Sequence, residues 1–399
     1  MEFSKDSESI IPLLMDDFSS FHKKNTRNEK IKFDKILKDI YDKLVDANKK
    51  TRVLMDSLEF RKTIRKINKG NIQGNRFLPK QIENHILTKI IGEISYKCII
   101  HNRDILFTFF ISEHDMFDKT DDITAKMIMW LFFILPYTRA KCSKTLKVTS
   151  YLTPFKKSLP ENKSTVLGPN NVNTAFTYRC PDNGEIVIFR KEEIFKVFLH
   201  ETFHTLGLDW SDDSNSNRFV SNIKKLFPIP SDMKIAESYC EFWACFMNSA
   251  FTAYHLTDGY NVDKFLLYVE YCLSFEKIFS LLQIVKILRF MGLTYHDLHT
   301  SGKAALYKET TNVFVYYILK CIFLFNMNDF LNWCVKNNTN MIAFYANKDN
   351  FTKLSHFIKS RYNNKNFIHG LTQAKKLLNK YDSNFIKETM RMSVFEFSL

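Results

Sequence analysis

The stretch VFLHETFHTLGLDW, residues 197–210, decides how this chain is read. On an α-helix, side chains four positions apart stand on one face, so His200 and His204 direct both imidazoles at a single point. Neutral imidazole is a preferred zinc ligand, and a catalytic zinc keeps three protein ligands with one position open. Glu201, next to the first histidine, is placed to accept a proton from a metal-bound water whose pKa the metal has lowered. Val197, Phe198, Thr202, Phe203, Thr205 and Leu206 surround these groups without a further charge or a proline, as a buried metal-binding helix requires. The competing interpretation is a core helix that happens to carry two histidines and a glutamate.

The third ligand sets the class. In the pattern HExxHxxGxxH, Gly207 falls in place, but the last position is Trp210, which cannot ligate. Asp209 comes one residue early, and Asp212 or Asp213 needs a different turn. Downstream, AESYCEFWACF places Glu237 and Glu241 four apart on an expected helix. One of these carboxylates completes the metal site, and the other accepts the free N–H of a ligating histidine. Their neighbours Tyr239, Cys240, Phe242, Trp243, Cys245 and Phe246 form an apolar setting in which an unpaired carboxylate is costly.

With HETFH and, on a later helix, ESYCE, the sequence resembles the gluzincin-type zinc metallopeptidases exemplified by thermolysin. The resemblance implies Zn2+ as cofactor, His200, His204 and Glu237 as its ligands, Glu201 as general base and Glu241 as the acceptor that orients a ligand histidine. It also implies an edge strand before the motif helix that pairs with the substrate backbone. NTAFT, with Asn173 and Ala175, occupies that place. The likeness covers roughly residues 147–257, and the 32 residues between His204 and Glu237 imply an inserted loop, such as SDDSNSNRF. The style of the whole sequence resembles proteins of large DNA viruses.

Such a hydrolase also needs a donor for the oxyanion. LTYHDLHTS offers Tyr295, His296 and His299 in an expected interhelix segment, and AYHL offers Tyr254 and His255; the first cluster is preferred because a loop can reach across a cleft.

Around this centre the organisation is α+β. Residues 1–90 read as a helical amino-terminal region, with Ile31, Phe33, Ile36, Leu37, Ile40 and Leu44 at helical spacing between about 29 and 68, and NKGNIQGNRFLP as a break. Residues 91–260 read as a zincin-like catalytic core. EISYKCII and DILFTFFIS form a hairpin about HNR, DDITAKMIMWLFFIL a helix ending at Pro136, and KVTSYLT, NVNTAFTYR and IVIF further strands. Residues 261–399 read as a helical carboxy-terminal lobe.

The net charge of +14 admits nucleic acid or acidic partners, but the basic residues are dispersed and no nucleic-acid motif or phosphate loop accompanies them. Nucleic acid is therefore not the favoured partner; a protein or peptide substrate is. The eight cysteines form no CxxC pair and no signal peptide precedes them, which predicts buried free thiols in an intracellular, cytoplasmic setting, either host cytoplasm or virion. MIMWLFFILP is too short to span a membrane, and NVFVYYILKCIFLFNMNDFLNWCV is interrupted by Lys320, Asn326 and Asp329. The expectation is a zinc-dependent peptidase. The alternative is a catalytically silent relative that binds protein or nucleic acid. Oligomeric state is left open.

Overall fold

The computed structural model describes residues 2–16, 27–67, 78–113, 119–211, 213–257, 259, 261–300, 302–381 and 383–399. All but the last two residues of the break expected over 68–79, and the candidate ligand Asp212, lie outside them.

The chain is α+β, with one six-stranded mixed sheet against a large set of helices. The strands are β1 (Arg61–Lys66), β2 (Gly92–Ile100), β3 (Arg103–Ile111), β4 (Thr145–Tyr151), β5 (Ala175–Thr177) and β6 (Asn183–Ile188), in spatial order β1-β2-β3-β4-β6-β5. β2 and β3 are the expected hairpin, and His101 and Asn102 at its tip both take positive φ, as a two-residue turn matched to strand twist demands. β3, β4 and β6 run parallel, with helix Thr120–Ile134 carrying the chain over from β3 to β4. β5 returns antiparallel to β6 and forms one edge of the sheet.

The amino-terminal region departs from its all-helical reading. Helix Arg27–Met55 ends well before residue 68, and residues 61–66 add to the hairpin as edge strand β1. In RKTIRK all six residues are exposed, so no apolar face distinguishes a strand from a helix there. Phe33, Leu37, Ile40 and Leu44 of the long helix pack into the main core together with residues of helices Thr120–Ile134 and Val262–Phe290, so this region shares its core with the rest of the molecule.

The motif helix, Ile194–Thr205, is central. Phe198 meets Phe107 of β3 edge-on, and Phe203 stacks on Trp130 and Trp243. Both phenylalanines are fully buried, each contributing about 1.5–3 kcal/mol by leaving water. Trp130 Nε1 donates to Thr202 Oγ1 at 2.8 Å, tying the motif helix to helix Thr120–Ile134.

The carboxy-terminal part is mainly helical up to Glu388, after which residues 389–395 follow a non-helical, buried path. Their amides are met by buried carboxylates: Met392 and Ser393 donate to Glu193, and Val394 donates to Glu276. The long apolar run bends by 90° between Phe314–Phe325 and Met327–Asn337, and no single helix among the described residues is long and apolar enough to cross a membrane.

One cysteine expectation is corrected. Cys142 and Cys180 form a disulfide, because the loop before β4 and the loop after β5 meet beside the end of the motif helix. Cys98, Cys240, Cys245, Cys272, Cys321 and Cys334 are buried free thiols.

Candidate metal centre

The motif helix stops by a left-handed glycine. Gly207 has φ +69°, its N–H bonds to the His204 carbonyl at 3.0 Å, and the Leu208 N–H reaches back to Phe203 at 2.9 Å. This turn explains why the HxxG spacing does not continue to a third ligand: the chain reverses and brings Asp209 against the far side of His204, while Trp210 enters the core.

The next residues are more ordered than an inserted loop. They include helix Asn217–Leu226, whose Phe219 and Ile223 are buried, before helix Ala236–Leu256 begins. The first turn of that second helix carries Glu237, and Glu241 stands one turn on.

His200 Nε2, His204 Nε2 and Glu237 Oε2 converge. Their separations are 3.1 Å for His200–Glu237, 3.2 Å for His204–Glu237 and 3.2 Å between the two nitrogens. Three ligand atoms each about 2.0–2.1 Å from one tetrahedral ion stand about 3.3–3.4 Å apart, so the triangle has nearly the right size. The far nitrogens decide the protonation pattern. His200 Nδ1 lies 2.9 Å from Glu241 Oε2, and His204 Nδ1 lies 2.9 Å from Asp209 Oδ2. Each Nδ1 therefore donates its hydrogen outward to a carboxylate. That leaves two nitrogen lone pairs and a carboxylate oxygen facing one another, an arrangement that repels unless a cation sits between them.

The electrostatics agree. Burial opposes a proton on His200, yet Glu237, Glu241 and Glu201 outweigh it and raise its pKa to about 9. His204 is likewise raised despite burial, by the carboxylates of Glu237 and Asp209. Burial would raise Glu237, but the two imidazoles hold it far below the usual carboxylate range. The pocket attracts positive charge, and in the bare protein a proton serves.

A second group, His204, Asp209 and Cys240, also gathers donor atoms. It fits a metal less well. His204 Nδ1 and Asp209 are already joined by a hydrogen bond, and burial pushes the Cys240 thiol up to about 12, so it stays protonated.

Glu201 lines the same cleft of about 800 Å³ as His200, His204 and Glu237, and among the described residues its carboxylate makes no hydrogen bond. Burial raises its pKa above the ordinary value, and the neighbouring imidazoles temper the rise. Asn173, Ala175 and Arg179 line the cleft too, so edge strand β5 borders it. Asn173 is itself held in place: its Oδ1 accepts from Thr311 Oγ1 at 3.2 Å and its carbonyl accepts from Arg190.

The expected oxyanion donors are elsewhere. Tyr295 is buried with its hydroxyl donating to the Tyr362 carbonyl at 2.7 Å, His299 Nδ1 lies 3.1 Å from the Leu226 carbonyl, and His296 is exposed; none lines the cleft. Their loop is packed by Phe227, Tyr362 and Phe367 rather than extended over the motif helix. Tyr254 and His255 are also outside it. Tyr316 is a tyrosine that does line the cleft. Its ring centroid is 5.9 Å from that of His200, and it belongs to the π-helical turn Phe314–Leu319. Single π-turns often mark functional positions. Here, Tyr316 faces the cleft while Tyr317 is buried and donates to Met390. In sequence Tyr316 is hidden inside an apolar run, and only its phenol pointed to a polar task.

No family model and no solved structure matches this chain. It is 30% identical over 202 residues to an uncharacterized protein, R210, of Acanthamoeba polyphaga mimivirus. The match covers 48% of this chain and 49% of that relative, so the chain matches about half the length of the curated relative.

Proposed function

We propose that the chain is a zinc-dependent metallopeptidase of the gluzincin kind, built on a zincin-like core and acting on protein or peptide substrates. The observation that carries this reading is the convergence of two imidazole lone pairs and the Glu237 carboxylate beside Glu201, whose carboxylate has no hydrogen-bond partner among the described residues, in an open cleft. When bound, zinc supplies Lewis acidity and brings a water to a near-neutral pKa.

This chain's own residues supply the rest. His200, His204 and Glu237 hold the ion. Glu201 takes the proton of the attacking water as its oxygen bonds to the peptide carbonyl carbon, then passes that proton to the departing amine as the C–N bond breaks. The Tyr316 hydroxyl donates a hydrogen bond to the carbonyl oxygen as it gains charge. Edge strand β5 pairs with the backbone of an extended peptide. A setting in a virus-infected cell or in a virion accords with the mimivirus relative.

The test replaces Glu201→Gln, which keeps the shape and removes the base. Zinc content of about one per chain is expected in both proteins, with cleavage of a mixed peptide library reduced by at least about 10²-fold in the variant. Equal cleavage by the variant would overturn the assignment of Glu201. Zinc binding with no cleavage of any peptide, amide or ester by the wild type would favour a silent binding module instead.

A further inference from the structure

We propose that Lys196 and Arg179 are positioning residues of the metal centre, each bracing from behind the carboxylate that orients one ligand imidazole. This rests on the metal-centre reading above.

The first chain lies inside the motif helix. Lys196 is one turn before His200, so both side chains leave the same face. Its ammonium pairs with Glu241 Oε1, while Glu241 Oε2 takes the His200 Nδ1 hydrogen at 2.9 Å. Lys196 and Glu241 are almost completely buried.

The second chain comes from the other direction. Arg179, two residues past β5, places Nε 3.1 Å from Asp209 Oδ1 and Nη2 2.8 Å from the Asp209 carbonyl. Asp209 Oδ2 then accepts from His204 Nδ1 at 2.9 Å, and the Ser211 amide donates to the same oxygen at 3.1 Å.

The two chains serve the same physical need. A buried carboxylate without a counter-charge is costly, and with one oxygen free it can rotate away from its imidazole. A cation fixed on the far oxygen offsets the burial cost and restrains the rotation, and at Asp209 the Ser211 amide and hydroxyl steady the near oxygen as well. Each ring is then held with its Nε2 lone pair aimed at the centre before any ion arrives. Arg179 also follows directly on the strand that borders the cleft, so it links the edge strand to the His204 side of the site.

The test measures zinc affinity by chelator competition, together with the visible absorption spectrum of the cobalt(II)-loaded protein. The variants are Lys196→Met, Arg179→Met and Arg179→Lys. Lys157→Met is the control: Lys157 forms an equally buried ion pair with Glu193, just before the motif helix, but touches neither imidazole-bound carboxylate. Lys196→Met and Arg179→Met are expected to weaken zinc about 10–100-fold, the range for lost partners of metal ligands, and to alter the cobalt spectrum. Arg179→Lys should recover part of the loss, and Lys157→Met should lower thermal stability while leaving affinity and spectrum as in the wild type. If Lys196→Met fails to fold, the partly exposed Arg179 still decides the matter. Unchanged affinity and spectrum in Arg179→Met, or an equal loss in Lys157→Met, overturns the bracing role while a zinc-binding wild type leaves the metal centre standing. A wild type that takes up neither ion overturns both.

Discussion

Exchanging one hydroxyl at each of two tyrosines separates catalysis from folding. Tyr316→Phe removes the O–H that faces the cleft beside His200. A donor aimed at a developing oxyanion is worth about 2.7–4 kcal/mol, so kcat is expected to fall about 10²–10³-fold. Tyr316 is only half-buried, so its loss should cost at most about 1 kcal/mol of stability. Tyr295→Phe is the mirror case. Its hydroxyl is buried and donates to the Tyr362 carbonyl at 2.7 Å, outside the cleft. Removing it takes a donor from the part-buried Tyr362 carbonyl, at about 0.5–1.5 kcal/mol, with kcat unchanged. The assays are initial rates on a cleaved peptide, zinc content, and urea unfolding of both variants. Full activity in Tyr316→Phe, or a 10²-fold loss in a normally folded, zinc-loaded Tyr295→Phe, would refute the assignment of the donor.

Zinc affinity should rise with pH from about 6.5 to about 9, because His200 in the bare site holds its proton up to about 9 and the ion must displace it; the slope is about tenfold per pH unit for each proton released. The sign follows from a raised histidine pKa: the proton competes below the folded value and ceases to compete above it. Calorimetric or competition affinities that stay flat across that interval would contradict the converging lone pairs. Thr202→Val should destabilise the fold by about 1–3 kcal/mol in urea, because it leaves the fully buried Trp130 indole N–H without its acceptor, whereas the zinc affinity of the folded fraction should not change.

Much of this site was legible in the sequence because its parts are local. His200 and His204 share a helix face by spacing alone, as do Glu237 and Glu241, and their apolar surroundings marked both segments as buried. The hairpin was legible for a similar reason, since two β-rich arms meet at a short polar turn. Tyr316 was not legible, because an apolar run reads as one buried helix until a π-turn rotates a single residue toward the cleft. Strand β1 was hidden because it is fully exposed, with Ile64 its single apolar residue. Asp209 falls one residue short of the HxxGxxH ligand position, and only the left-handed turn at Gly207 sends its carboxylate to the Nδ1 side of His204.

Sequence by itself determined which side chains could share a face, since helical periodicity is a property of the local backbone. Only tertiary structure decided which faces meet: that Glu237 stands about 3 Å from two imidazoles 33 and 37 positions away, and that Lys196 and Arg179 stand behind their carboxylate partners. Those distances are set by how the helices and the sheet edge pack around Phe198, Phe203 and Trp243, and no spacing along the chain encodes packing between segments that distant.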